Sequence, residues 1–289
     1  MTSADWPAPA KLNLFLHVLG RRVDGYHDLQ TVYQLIDLAD LLSFDIREDG
    51  RIRRVSGPPV IPAELDLAVR AARQLQSDSG TRFGADIRLI KRIPVQGGLG
   101  GGSSDAATTM VALNELWGLG WDAGRVAALG REIGADVPLF VHGQSAWAEG
   151  VGDRLTPVEL PRRHFAIVFP GFGVSTAEIF QAPELTRNSP KTTIRAFLKA
   201  GGRNDCAPVA TRRYPEVARA LGWLGQRGNA RLTGTGSCVF ADFADRAQAE
   251  AALGDLPAGW SGFAACGLDR SPLQERLAAE RASRDRRGG

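Results

Sequence analysis

An α+β chain of two packed domains is the fold class that the sequence predicts, and three observations lead there. Strand-like and helix-like hydrophobic periods alternate without the strict regularity of repeated βαβ units. A length of 289 residues slightly favours two domains over one. A dense glycine run, Gly97–Gly102, falls between a strand-period and a helix-period segment. The weakest compositional boundary lies near residues 150–165, which divides the chain into 1–155 and 156–289.

Residues 10–19 alternate, with Leu12, Leu14, Leu16 and Val18 on one face and Lys11, Asn13, Phe15 and His17 on the other. Period two predicts a strand with one side on the core. Asp24-Gly25 marks a turn, a second strand follows near Thr31–Ile36, and Glu48-Asp49-Gly50 reads as a polar hairpin region. Leu65–Leu75 has the period of an amphipathic helix, and Ala85–Arg92 that of a strand. Ala106–Trp117 is predicted helical from Met110, Leu113 and Trp117, with Ser103 and Ser104 where an N-cap belongs. A helix at Arg125–Ile133 stops at Gly134, and strands are expected at Ser145–Glu149 and Phe165–Phe169. Gln181–Pro190, with its prolines, reads as an exposed connection. Helices at Thr192–Lys199 and Glu216–Leu224, a strand at Cys238–Ala241 and a fraying Arg-rich tail at Glu280–Gly289 complete the reading.

Composition removes several function classes. A net charge of +3 is too mild for a nucleic-acid coat or a membrane-surface protein, so neither partner is expected. Cys206, Cys238 and Cys266 form no C-x-x-C, and His17, His27, His142 and His164 never fall four apart, which excludes the common zinc patterns. The N-terminus lacks a secretory pattern and no apolar run approaches transmembrane length, so a soluble, cytoplasmic protein is expected. A monomer and a homodimer are equally compatible with the sequence.

Glycine makes up 34 of 289 residues, and the cluster at Gly97–Gly102 needs a local reason because such a run costs entropy and packs nothing. Its physical use is close approach of backbone N–H groups to an anion at the positive end of the following helix. There is no Gly-Lys dipeptide, so this is not a Walker loop, and serine stands at the last glycine position of a dinucleotide fingerprint. Lys11 alone could be a solvated strand lysine, and Asp136, in Gly134-Ala135-Asp136-Val137-Pro138, could be an N-cap. Converging on a phosphate loop, the two would make a phosphoryl-transfer site.

Pro9-Ala10-Lys11-Leu12-Asn13-Leu14, Asp24-Gly25-Tyr26-His27, Pro94-Val95-Gln96-Gly97-Gly98-Leu99-Gly100-Gly101-Gly102-Ser103-Ser104, Gly134–Pro138 and Leu232-Thr233-Gly234-Thr235-Gly236-Ser237 occur in that order. Together they resemble the GHMP kinase superfamily over most of the chain. The Pro-Ala-Lys-Leu-Asn and Asp-Gly-Tyr-His motifs resemble its members that act on a cytidyl diphosphate. The resemblance implies a ribosomal-protein-S5-like N-terminal domain and a ferredoxin-like C-terminal domain. It implies ATP-dependent phosphorylation of the 2-hydroxyl of 4-diphosphocytidyl-2-C-methyl-D-erythritol, a step toward isoprenoid precursors. ATP is then the co-substrate and Mg²⁺ its companion, with Ser104 a weak candidate ligand. By the same resemblance Asp136 is the base, Lys11 its electrostatic partner, and Pro94–Ser104 the ATP-phosphate loop. Asn13 places the erythritol hydroxyls, while Tyr26, His27 and Phe180 hold cytidine; Phe180 also reads as an ordinary core aromatic. Two departures stand out: Gln96 replaces a small residue, and Asp66 replaces an asparagine near the adenine. The competing readings are a superfamily kinase for mevalonate, homoserine or a sugar, and a nonenzymatic nucleotide-binding regulator.

Overall fold

The computed structural model describes residues 2–288. Two long antiparallel strands, β1 (Thr2–Arg21) and β2 (His27–Arg47), form a hairpin whose turn places Gly25 at φ 86°. Both strands are much longer than their alternating patterns indicate. The half-exposed strand expected at 10–19 is corrected: Lys11, Asn13, Phe15 and His17 are buried, as are Leu12, Leu16 and Val18. Later parts of the chain cover the polar face. Leu16 N donates to Arg203 O at 3.0 Å and Val18 N to the Asp205 carboxylate at 2.8 Å.

β3 (Ile52–Ser56), α1 (Leu67–Ser79) and β4 (Gly84–Ile90) follow, with β4 antiparallel to β2 and parallel to β3. α2 (Gly101–Leu116) is the central helix, and every residue from Ser104 to Asn114 is buried. It starts five residues before the expected Ala106. Its cap is Gly100, at φ 72°, not Ser103 or Ser104. α3 (Ala123–Ile133), α4 (Val137–His142), β5 (Ala146–Gly150) and β6 (Arg154–Pro157) complete this half, with β5 on the free side of the hairpin end of β2. Trp6, Phe44 and Phe140 are fully buried in the core shared with α1 and α2.

The second half contains β7 (His164–Phe169), α5 (Thr176–Gln181), α6 (Ile194–Ala200), α7 (Ala207–Arg213), α8 (Pro215–Gly225), β8 (Arg231–Leu232), β9 (Val239–Phe243), α9 (Arg246–Ala251), β10 (Ser261–Leu268) and α10 (Pro272–Gly288). β10 is the seam. It pairs with β7 over Ser261–Cys266 and with β2 through Gly267–Ile36 and Leu268–Leu35. One sheet path, β3-β4-β2-β10-β7-β9-β8, therefore runs through both halves.

Two expectations of exposure are corrected. In the 181–190 connection Leu185 and Ser189 are buried, and Ser189 N donates to Val18 O at 3.1 Å. The Arg-rich tail is helical to Gly288 because Glu115 holds it: Arg281 donates to the Glu115 carboxylate and Arg284 to its carbonyl, each at 2.9 Å. The final tail residue, Gly289, lies outside the described residues. Among those described, no helix is long and apolar enough to cross a membrane.

The chain between β4 and α2 is anchored by buried charge. Asp40, fully buried in β2, accepts from Arg92 N at 2.6 Å and Ile93 N at 2.8 Å, and pairs with Lys91 Nζ at 2.6 Å. Asp105 of α2 holds the same ammonium at 2.6 Å. Burial alone would lower the Lys91 pKa, but the Asp105 and Asp40 carboxylates outweigh it and hold it above its ordinary value. Breaking such a pair leaves buried donors and charge uncompensated. Asp40→Ala is expected to destabilise the fold by about 3 kcal/mol or more in denaturant titration. All three cysteines are free and buried, and burial pushes the Cys206 thiol up to about 12. The native protein is therefore expected to leave a thiol-reactive dye unconsumed at neutral pH, and the denatured protein to react fully.

Candidate active site

The glycine run is shaped by what it packs against. Gly98 and Gly100 lie at φ 79° and 72°. A Cβ at Gly98 would collide with the Thr233 carbonyl, and one at Gly97 would lie 2.7 Å from Cys238 Sγ. At Gly100 it would meet Phe140 at 2.9 Å and the Lys11 stem at 3.1 Å. Backbone bonds fix the loop from both sides: Lys11 N donates to Leu99 O and Cys238 N to Gly97 O, both at 3.0 Å. Gln96 takes φ 56°, strained for a residue with a side chain. It fits because Gly173 leaves room, since a Cβ there would come within 2.5 Å of Gln96 Cβ.

This loop forms one wall of a cavity of about 1100 Å³ that also receives Lys11, Asn13, Asp136, Tyr26, His27 and Phe180. The fold thus brings residues from β1, the β1–β2 turn, the two glycine-containing loops, the start of α4 and the end of α5 to one space.

Lys11 Nζ lies 3.4 Å from Asp136 Oδ2 and donates to Asn13 Oδ1 at 2.5 Å. Tyr33 OH donates to Asp136 Oδ1 at 3.0 Å. Burial, then the Asp136 charge, raises the Tyr33 pKa well above its ordinary value, so the phenol stays protonated as a donor. The N-cap reading of Asp136 fails on its side chain. Asp136 occupies the cap position of α4 but makes no side-chain capping bond; its carboxylate is turned to Lys11 and Tyr33. Asn13 is fixed in turn, its amide donating to Thr31 Oγ1 and its backbone N–H to Thr233 Oγ1, both at 2.9 Å. Lys11 is buried rather than solvated.

At the far end Tyr26 is exposed beyond the turn, while His27 is buried and stacks on Phe180 with ring centroids 5.3 Å apart. Phe180 packs on the core of the second half, as its reading as a core aromatic expects, and also lines the cavity. Asp66, also at the cavity wall, has its carboxylate committed. One oxygen accepts from Ala68 N at 2.9 Å to cap α1, and the other accepts from Arg54 at 2.7 Å.

Ser103 lines the cavity, whereas Ser104 is fully buried behind it, its Oγ without a partner among the described residues. Among those residues no group of three His, Cys, Asp or Glu could hold a metal ion. Sequence reasoning missed Tyr33, Lys91, Arg54 and Arg187. Tyr33 was within reach, because it is the register partner of Asn13 across the hairpin; the other three depend on long-range packing.

Residues 66–144 match the family model for the GHMP kinases N terminal domain, and residues 184–262 that for the GHMP kinases C terminal. The chain is 57% identical to the 4-diphosphocytidyl-2-C-methyl-D-erythritol kinase of Alkalilimnicola ehrlichii over 286 residues, covering 99% of this chain and 98% of the relative. It is 54% identical to that of Halorhodospira halophila over 276 residues, covering 94% and 96%. A crystal structure of 4-(cytidine 5'-diphospho)-2C-methyl-D-erythritol kinase superposes with a TM-score of 0.79 at 35% identity, covering 92% of this chain and 99% of that one. The mevalonate kinase of Methanococcus jannaschii, at 15% identity and a TM-score of 0.64 over 93% of this chain and 98% of its own, shares the fold. The chain belongs to the 4-diphosphocytidyl-2-C-methyl-D-erythritol kinase family of the GHMP kinases.

Proposed function

We propose that this chain transfers the γ-phosphoryl group of ATP to the 2-hydroxyl of 4-diphosphocytidyl-2-C-methyl-D-erythritol, giving the 2-phosphate and ADP. The observation that carries the proposal is the Lys11–Asp136 pair, 3.4 Å apart, in one cavity with the glycine loop and the aromatic pair His27–Phe180. Asp136 takes the hydroxyl proton as the oxygen attacks the γ-phosphorus and the bond to ADP breaks. Tyr33 and Lys11 hold its two carboxylate oxygens in place. Lys11, with three N–H donors, also meets the charge on the transferring group. Asn13 orients the erythritol hydroxyls, and the N–H groups of Gly97–Ser104 hold the triphosphate.

In this reading residues 1–155 supply the phosphate loop, the Lys11–Asp136 pair and the Tyr26 and His27 contacts. Residues 156–289 supply Phe180 and the loop that backs the glycines. Mg²⁺ bound with the nucleotide would neutralise phosphate charge, and Ser104 of the glycine loop is the candidate side chain to hold it. Both substrates are water-soluble, and the cytoplasm is the compartment proposed. Mevalonate, homoserine and simple sugars carry no base, so the Tyr26, His27 and Phe180 contacts would stand idle with them.

A coupled ADP-release assay decides among these acceptors. The cytidyl substrate is expected to drive turnover and mevalonate and homoserine to leave it at background; the reverse result overturns the proposal. Asp136→Asn is expected to lower kcat by about 10²–10⁴-fold while ATP still binds, since it removes the base and leaves the loop intact. Near-normal kcat in that variant would remove the role from Asp136. Tyr26→Ala is expected to raise KM for the cytidyl substrate by about 10-fold or more, as one lost base stack costs about 1–3 kcal/mol. Unchanged KM would place the base elsewhere.

A further inference from the structure

The two ring nitrogens of His27 stand in different situations. Nε2 accepts from Arg187 Nε at 3.0 Å. Nδ1 has no hydrogen-bond partner among the described residues, and His27 is one of the residues that line the cavity.

Arg187 is itself tightly held, although it lies in the connection that reads as exposed. Its Nη1 donates to Leu185 O at 3.1 Å, and its Nη2 donates to Phe180 O at 2.9 Å and Ala182 O at 2.7 Å. A guanidinium is always protonated and can only donate. A fixed donor facing Nε2 requires a lone pair there, which puts the ring's single proton on Nδ1. The imidazolium form is disfavoured on the same geometry, because it would set two donors face to face. Burial, then the charges of Arg187 and of Arg21, its register partner across the hairpin, lowers the His27 pKa and favours the same neutral ring.

We propose that Arg187 is a positioning residue that sets base specificity: by locking His27 as the Nδ1–H tautomer it presents a donor to the pyrimidine N3. Cytosine N3 is an acceptor and completes the bond. Uracil carries a hydrogen on N3 and meets donor with donor, leaving both groups unsatisfied in a partly buried site. The inference rests on the cytidyl site proposed above and adds to it the physical origin of the choice between the two pyrimidines.

Calorimetric binding of CDP and UDP to the full chain tests it, in the wild type and in Arg187→Met, which keeps the apolar stem. The wild type is expected to prefer CDP by about 10-fold or more, and Arg187→Met to lose most of that ratio. A variant that weakens both ligands equally, or a wild type without preference, overturns the inference. The ¹⁵N spectrum of the wild-type imidazole reads the tautomer directly and decides alone if Arg187→Met does not fold. A protonated Nδ1 and bare Nε2 are expected; the opposite pattern overturns the assignment. Turnover of the cytidyl substrate is a separate readout: if it fails, the proposed reaction falls, whereas a wild type without base preference, or an Arg187→Met variant that keeps the full preference, removes only the role of Arg187 while turnover stays intact.

Discussion

The whole site depends on one close approach of backbone to backbone. Gly97–Gly100 lies against Thr233–Gly236, with no room for a side chain at Gly98. That contact lets Lys11 N reach Leu99 O and Cys238 N reach Gly97 O, so that the glycine loop is clamped between β1 and the loop before β9. Asn13 sits at the same junction, its N–H on Thr233 Oγ1 and its amide oxygen on Lys11. The glycines therefore serve two ends: they line the cavity on one side and let two loops touch on the other. A flexible glycine linker would do neither.

Charge is divided between two lysines with different duties. Lys91 is spent on structure, held by Asp40 and Asp105, and steers the chain from β4 into the loop. Both line the cavity, but Lys91 is held by two carboxylates at 2.6 Å, whereas Lys11 meets one carboxylate at 3.4 Å and a neutral amide oxygen, so its charge is less neutralised. The same logic separates the aspartates. Asp66 is saturated by a helix cap and an arginine. Asp136, at a cap position, leaves its helix uncapped and faces the cavity.

Much of this was legible in the residue order. The strand-loop-helix context of Gly97–Gly102, the strand bearing Lys11 and Asn13, and the turn bearing Tyr26 follow from local periodicity and turn chemistry. What could not be read was anything set by distant packing. β1 loses its clean alternation because register slips and later segments cover its polar face. The 181–190 segment looks like a loop from its prolines, yet Arg187 turns inward because His27 and three carbonyls satisfy its donors. The tail is rich in arginine and would fray alone; the carboxylate and carbonyl of Glu115, more than a hundred and sixty residues earlier, hold it. Local signals report what a segment can form, and its partners decide what it buries.

The strand seam also orders events in time. β10 is the strand that joins β2 to β7, and it is made after both. The Thr233–Cys238 segment that braces the glycine loop is itself made after the loop. A ribosome that has made the chain only a little beyond Asp136 thus holds the lysine, the aspartate and the glycines without the surface that sets them in register. Such long-range pairing makes assembly slow and non-local. The nascent chain cannot form the braced glycine loop until Thr233–Cys238 has been synthesised.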